Sequence, residues 1–254
     1  MEKIERNASY INATLQTMQK EWYEGLKDCK FNYYDLSMFS SPFYFGISEK
    51  TIEECNCGKD LLMYVGEEAK DWTFDQQWAI NYFDSQIYND QSNDCKKNNS
   101  AFWNFLRNII KEKTKVAACW NNLDKLHQKI QNKNGEETKP LTYKQEKPLH
   151  NPFGDDQRHS LLWHEINLVR PNYIIFMGPK YNCSIEWAFS LPERSLKLKE
   201  KPNARKVVDL TETFKNIFSS GYQPKVFWIC HPGWLQRKGV FQSVLEELLK
   251  KINA

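Results

Sequence analysis

The chain has 254 residues, of which 41% are hydrophobic, 14% aromatic and 26% charged, with a formal net charge of +3. That length fits one large domain or two small ones, and the balance is that of a soluble globular protein. No apolar run is long enough to cross a bilayer, the start MEKIERNASY does not read as a signal peptide, and so mild a charge neither demands nor excludes a nucleic-acid partner.

Residues 1–57 carry one helical pattern (ASYINATLQTMQKEWYEGL) and are expected as an N-terminal helical extension packed on a core formed by residues 58–254. Seven cysteines, an odd number, are expected as reduced thiols in a cytoplasmic protein. Cys55 and Cys57 form the one close pair, but the spacing is not C-x-x-C and no second pair completes a set, so no metal site is expected.

Four short apolar runs predict buried strands, each ended by a turn signal. They are Leu61–Val65 before Gly66, Val116–Trp120 before Asn121-Asn122, Tyr173–Met177 before Gly178-Pro179, and Val226–Cys230 before His231-Pro232. Helices are predicted at Ala101–Lys111, at His159–Val169, and after Gly239, where Phe241, Val244, Leu245, Leu248, Leu249 and Ile252 repeat at three- and four-residue intervals. Polar stretches at 86–100 and 128–158 read as surface loops. Arg194–Lys206 holds six cations and one glutamate, a solvated loop or a strip that meets phosphates.

Apolar strands alternating with helices predict an α/β fold in which a central four-stranded parallel sheet is flanked by helices. Ligands of such sheets bind beyond the carboxyl ends of the strands. There the sequence sets Gly66-Glu67-Glu68, Asn121-Asn122, Gly178-Pro179-Lys180 and His231-Pro232, so acid, amide, cation and imidazole converge on one crevice.

These four strand ends resemble the uracil-DNA glycosylase superfamily. Its members carry a water-activating Gly-Gln-Asp-Pro-like loop after the first sheet strand, an Asn after the next, and a His-Pro-Ser-Pro-Leu-Ser-like loop after the last. Here Gly66-Glu67-Glu68-Ala69, Asn121 and His231-Pro232-Gly233-Trp234-Leu235-Gln236 stand at those places, in order, across roughly residues 60–250. Glu68 replaces the usual Asp, Ala69 the Pro and Gly233 a Ser, which marks a divergent branch. The resemblance implies a monofunctional DNA glycosylase, monomeric and free of metal and cofactor. It would hydrolyse the N-glycosidic bond of a flipped-out uracil or modified pyrimidine by direct water attack, in DNA repair or anti-phage defence.

Each chemical demand then falls to a residue. Glu68, with Glu67 second, is expected to stabilise the oxocarbenium-like sugar and orient water, unless both acids merely complement a helix N-terminus. His231 is expected to donate to an oxygen of the departing base. Gly66 and Asn121 or Asn122 would border the base, Asn121 favoured because it directly follows the strand; a simple Asn-Asn turn is the plain alternative. Trp72 would wall the base off, or else pack in the core. Trp234 and Leu235 are expected as an exposed pair that enters the base stack, with Lys180, Gly233, Gln236, Arg237 and Lys238 near DNA phosphates. The competing expectation is a non-catalytic nucleic-acid-binding protein on the same fold. A small-molecule hydrolase is more remote, because the sequence lacks a Gly-x-Ser-x-Gly turn, a glycine-rich phosphate loop and an evident metal cluster.

Overall fold

The computed structural model describes residues 6–28, 36–68, 75–88, 98–112, 115–132, 135–139, 141–150, 160–178, 182–192, 195–196 and 206–253. In chain order these form α1 (Ala8–Asp28), a short 3-10 turn at Leu36–Met38, α2 (Glu49–Asn56), β1 (Asp60–Glu68), α3 (Gln76–Ile87), α4 (Ala101–Glu112) and β2 (Val116–Asp124). Then follow β3 (Gln128–Asn132), β4 (Gly135–Lys139), α5 (Tyr143–His150), α6 (Leu161–Val169), β5 (Tyr173–Met177) and α7 (Asn182–Ala188). The chain closes with β6 (Val208–Asp209), β7 (Lys225–Ile229), α8 (Pro232–Arg237) and α9 (Phe241–Asn253).

The fold is α/β, and the four apolar runs become β1, β2, β5 and β7, paired in parallel in the order β2-β1-β5-β7. Their side chains are buried almost without interruption, as expected of a sheet covered on both faces. The sheet is not wholly parallel. The two residues of β6 add an antiparallel edge beside β7 through Val208↔Trp228 and Asp209↔Phe227. A two-residue strand has no apolar run to betray it.

Strand β1 does not stop at Val65, nor β2 at Trp120. Their ladder continues through Gly66↔Asn122 to Glu68↔Asp124, so the residues expected as loops beyond the strands are the strands' own last residues. Polar side chains disguised this continuation, because backbone pairing does not depend on hydropathy.

The stretch 128–158, expected as loop, holds the antiparallel hairpin β3–β4 and helix α5. Its strands, QKIQN and GEETK, carry almost no apolar residue and so show no alternation. A second, smaller core lies in this part of the molecule, where Trp22 and Leu26 of α1 meet Phe39, Leu126, Leu141, Leu149 and Leu161. Elsewhere α1 lies against α6 and α2 against β2, where the Thr51 hydroxyl donates to the Ala118 carbonyl at 2.9 Å. Local signals start the better-defined helices. Asp75 caps α3 by accepting from the Trp78 N–H, and Ser160 caps α6 by accepting from that of Trp163. Among the described residues no helix is long and apolar enough to cross a membrane.

Candidate functional site

Successive side chains on a strand point to opposite faces of the sheet, and this separates Asn121 from Asn122. Asn121 is fully buried on the α6 side, where its Nδ2 donates to Glu165 Oε2 at 2.9 Å. Its Oδ1 accepts from the Asn122 backbone N–H at 2.8 Å and from the Lys125 ammonium. Lys125 in turn donates to Glu165 Oε2 at 2.7 Å, and Gln19 of α1 donates to Glu165 Oε1 at 2.8 Å. Burial pulls the Lys125 ammonium below its ordinary value, against the opposing pull of Glu165. Both of Asn121's polar atoms are spent here, so the favoured base-reading residue belongs instead to a closed structural network.

Asn122 faces the other way. Its Oδ1 lies beside Gly66, where an added Cβ would come within 2.6 Å, so a larger residue at that point on β1 would have to push the amide aside. Its Nδ2 is buried and has no hydrogen-bond partner among the described residues. A buried donor left in that state costs about 1–3 kcal/mol. Directly over the same spot lies Phe102, from the first turn of α4, within about 3.5 Å of the Gly66 Cβ position.

Phe102 links this point to His231. The two rings are stacked with centroids 6.1 Å apart and planes 28° apart. His231 follows β7 and caps α8, its Nδ1 accepting from the Gly233 N–H at 3.1 Å. An imidazole that accepts at Nδ1 carries its proton on Nε2 when neutral, and the residue is exposed. Between β1 and β7 runs β5, and Gly178 at its end has φ 58°. A Cβ there would meet His231 Cβ at 2.7 Å and its backbone N at 2.8 Å, so a glycine is what lets the imidazole turn sit this close. Asn122, Gly66, Phe102, Gly178 and His231 thus form a contiguous patch at the carboxyl edge of the sheet. Phe102 escaped the sequence reading because it looks like one more apolar residue on the amphipathic helix α4.

The turn after His231 departs from expectation. Residues 232–237 form helix α8, and Leu235 within it is fully buried in the main core rather than exposed as a wedge. Trp234 is partly buried, packs on that core and lies 5.6 Å beneath the Lys238 ammonium. Apolar residues of a short amphipathic turn are drawn inward by burial, which a pattern of only two residues cannot announce. Gln236, Arg237 and Lys238 remain exposed, and the Arg237 guanidinium approaches Gly233. The backbones of Glu67 and Glu68 end β1, but their side chains lie outside the described residues, as do Trp72 and Lys180.

A second polar cluster was missed in the sequence. Asp124, the last residue of β2, meets Glu146 and His150 of α5, and all three are buried. His150 Nε2 lies 3.2 Å from Asp124 Oδ1 and 3.5 Å from Glu146 Oε1. Burial alone would push the imidazolium down, but Asp124 and Glu146 outweigh it and raise His150 to about 9. The i,i+4 pair Glu146/His150 was a readable signal, hidden by taking the stretch for a loop. Cys55 and Cys119 are buried free thiols, and burial pushes Cys55 up to about 11.

No family model matches the chain, and no curated protein matches it.

Proposed function

We propose that the carboxyl edge of the sheet is the active site of a DNA glycosylase that removes uracil or a modified pyrimidine from an extruded nucleotide by direct water attack. The observation that carries this proposal is the meeting, on one patch, of the His231 imidazole with a buried Asn122 Nδ2 that has no hydrogen-bond partner among the described residues. A pyrimidine presents carbonyl oxygens on its edges, and two preorganised donors suit their recognition and the stabilisation of the departing anion. Phe102 is the ring that an entering base would displace or stack upon. Strands β2 and β7, which carry Asn122 and lead into His231, are three spacings apart, about 14 Å, and the Asn122 amide leans over Gly66 of β1 towards the centre of that span.

Glu68, two residues beyond Gly66 on β1, is assigned the oxocarbenium and the attacking water. Exposed Arg237 and Lys238 are assigned to phosphates, a contact that sets position and not base identity. The resemblance to the uracil-DNA glycosylase superfamily supports the same assignment for the acidic and imidazole turns. It does so with Asn122 in place of Asn121 and without Leu235 as a wedge.

The test is an incubation with single- and double-stranded oligonucleotides bearing uracil, hypoxanthine, hydroxymethyluracil or modified cytosines, followed by alkaline cleavage at abasic sites. Wild type is expected to yield product from one of the pyrimidines, and Glu68→Gln none. DNA binding without product in wild type would instead identify a non-catalytic nucleic-acid-binding protein.

A further inference from the structure

We propose that Asp124, Glu146 and His150 form a site for one divalent first-row cation, with zinc or manganese the fitting class, that fastens α5 to the end of β2. The inference goes beyond the excision chemistry and does not depend on it.

The geometry points to a cation in three ways. First, the ligand atoms Oδ1, Oε1 and Nε2 all lie within 4.8 Å of one another, on residues that are each at least nine-tenths buried. Zinc bonds of about 2.0–2.2 Å at a tetrahedral angle place neighbouring ligand atoms roughly 3.3–3.5 Å apart. The two His150 separations, 3.2 and 3.5 Å, match that edge.

Second, Glu146 Oε1 and His150 Nε2 are shielded from solvent, and neither has a well-aligned hydrogen-bond partner among the described residues. A ring nitrogen carries one proton and can aim it at one acceptor, whereas a cation at the centre serves all three atoms. Third, a cavity of about 20 Å³ opens beside the cluster, lined by Asp124, Lys125, His150 and Trp22. A cavity above about 10–15 Å³ holds a water, which supplies a fourth ligand.

Charge balance agrees. Two buried carboxylates face a single imidazole here, and the adjacent Lys125 ammonium is bound to Glu165 and Asn121, so a divalent cation suits the cluster's charge. One imidazole with two carboxylates suits a borderline cation better than calcium, which prefers six to eight oxygens. Glu146 and His150 stand one turn apart on α5, so a single helix face presents both ligands. The hairpin and α5 leave the main sheet at Asp124, and a cation there would tie this excursion back to it.

The experiment is calorimetric titration of the chelator-treated, full-length protein with zinc chloride, repeated with manganese. One zinc per chain is expected in wild type, with affinity lowered at least 10-fold in both Glu146→Gln and His150→Gln. No saturable uptake in wild type, or equal uptake in both folded variants, would overturn the proposal. Should either variant fail to fold, X-ray absorption of the zinc-loaded wild type decides. One imidazole and oxygen ligands near 2.0–2.1 Å are expected. Sulfur ligation would place the metal on cysteines and contradict the site.

Discussion

Asn121 and Asn122 are adjacent on one strand, equally buried and identical in chemistry, yet they belong to different regions of the molecule. On the α6 face, Asn121, Lys125 and Glu165 answer one another's hydrogen-bonding needs and Gln19 joins them through its Nε2, although its Oε1 has no partner among the described residues. On the α4 face, the Asn122 Nδ2 has no hydrogen-bond partner among the described residues, under Phe102, whose ring stacks on His231. A satisfied network stabilises and fixes a core, whereas a buried donor left open costs stability that a ligand would restore. On the proposed reading the difference separates a structural face from a chemical one, and substitutions on each side should respond differently.

The largest effect is expected from Glu165→Gln, which strips the buried Lys125 of its carboxylate. Urea unfolding should show a loss of about 3–5 kcal/mol. A loss below about 1 kcal/mol would mean that the α6 face is not the rigid one.

Leu235→Ala should cost about 3 kcal/mol through the cavity it leaves, with DNA affinity of the folded fraction unchanged. Unaltered stability with weakened DNA binding would return Leu235 to the role of an inserted wedge.

The Asp124–Glu146–His150 cluster adds a pH signature in chelator. His150 has its folded-state value raised from 6.5 to about 9. The stability it contributes is therefore complete below about pH 6.5 and is lost as pH rises through about 9. Melting temperatures across that window should fall in wild type and stay flatter in Glu146→Gln. A wild-type profile rising with pH would contradict this sign.

Smaller again is the effect of Asn122→Ala. Base release should slow by the equivalent of about 1–3 kcal/mol, while stability holds or rises because an unmet donor has gone. Asn121→Ala should do the reverse, losing stability first. Equal behaviour of the two alanine variants would erase the distinction between the faces.

Much of the frame was legible because hydrophobic periodicity reports burial directly. The runs at 61–65, 116–120 and 173–177 and all but the last residue of 226–230 lie on the four parallel strands, and α4, α6 and α9 follow their apolar spacing. What stayed hidden has no hydropathic signature. The two-residue β6, the polar hairpin β3–β4 and the continuation of β1 and β2 past Val65 and Trp120 rest on backbone pairing alone. At the site, His231 was found because a histidine at the end of an apolar strand is conspicuous. Placing Asn122 rather than Asn121 in the proposed site needed β2 to run on to Asp124, since a single step along a strand reverses the face. Phe102 needed the third dimension, which carries α4 over Gly66.

The most direct test is the single-turnover rate of base release from a uracil- or modified-pyrimidine-bearing oligonucleotide by His231→Ser. Serine keeps an acceptor at the cap of α8 but cannot reach a base with an N–H. An unchanged melting temperature with a rate lowered about 100-fold or more is predicted. A variant as fast as wild type, or a wild type that releases no base from any of these substrates, would contradict the assignment of this sheet edge as a glycosylase site.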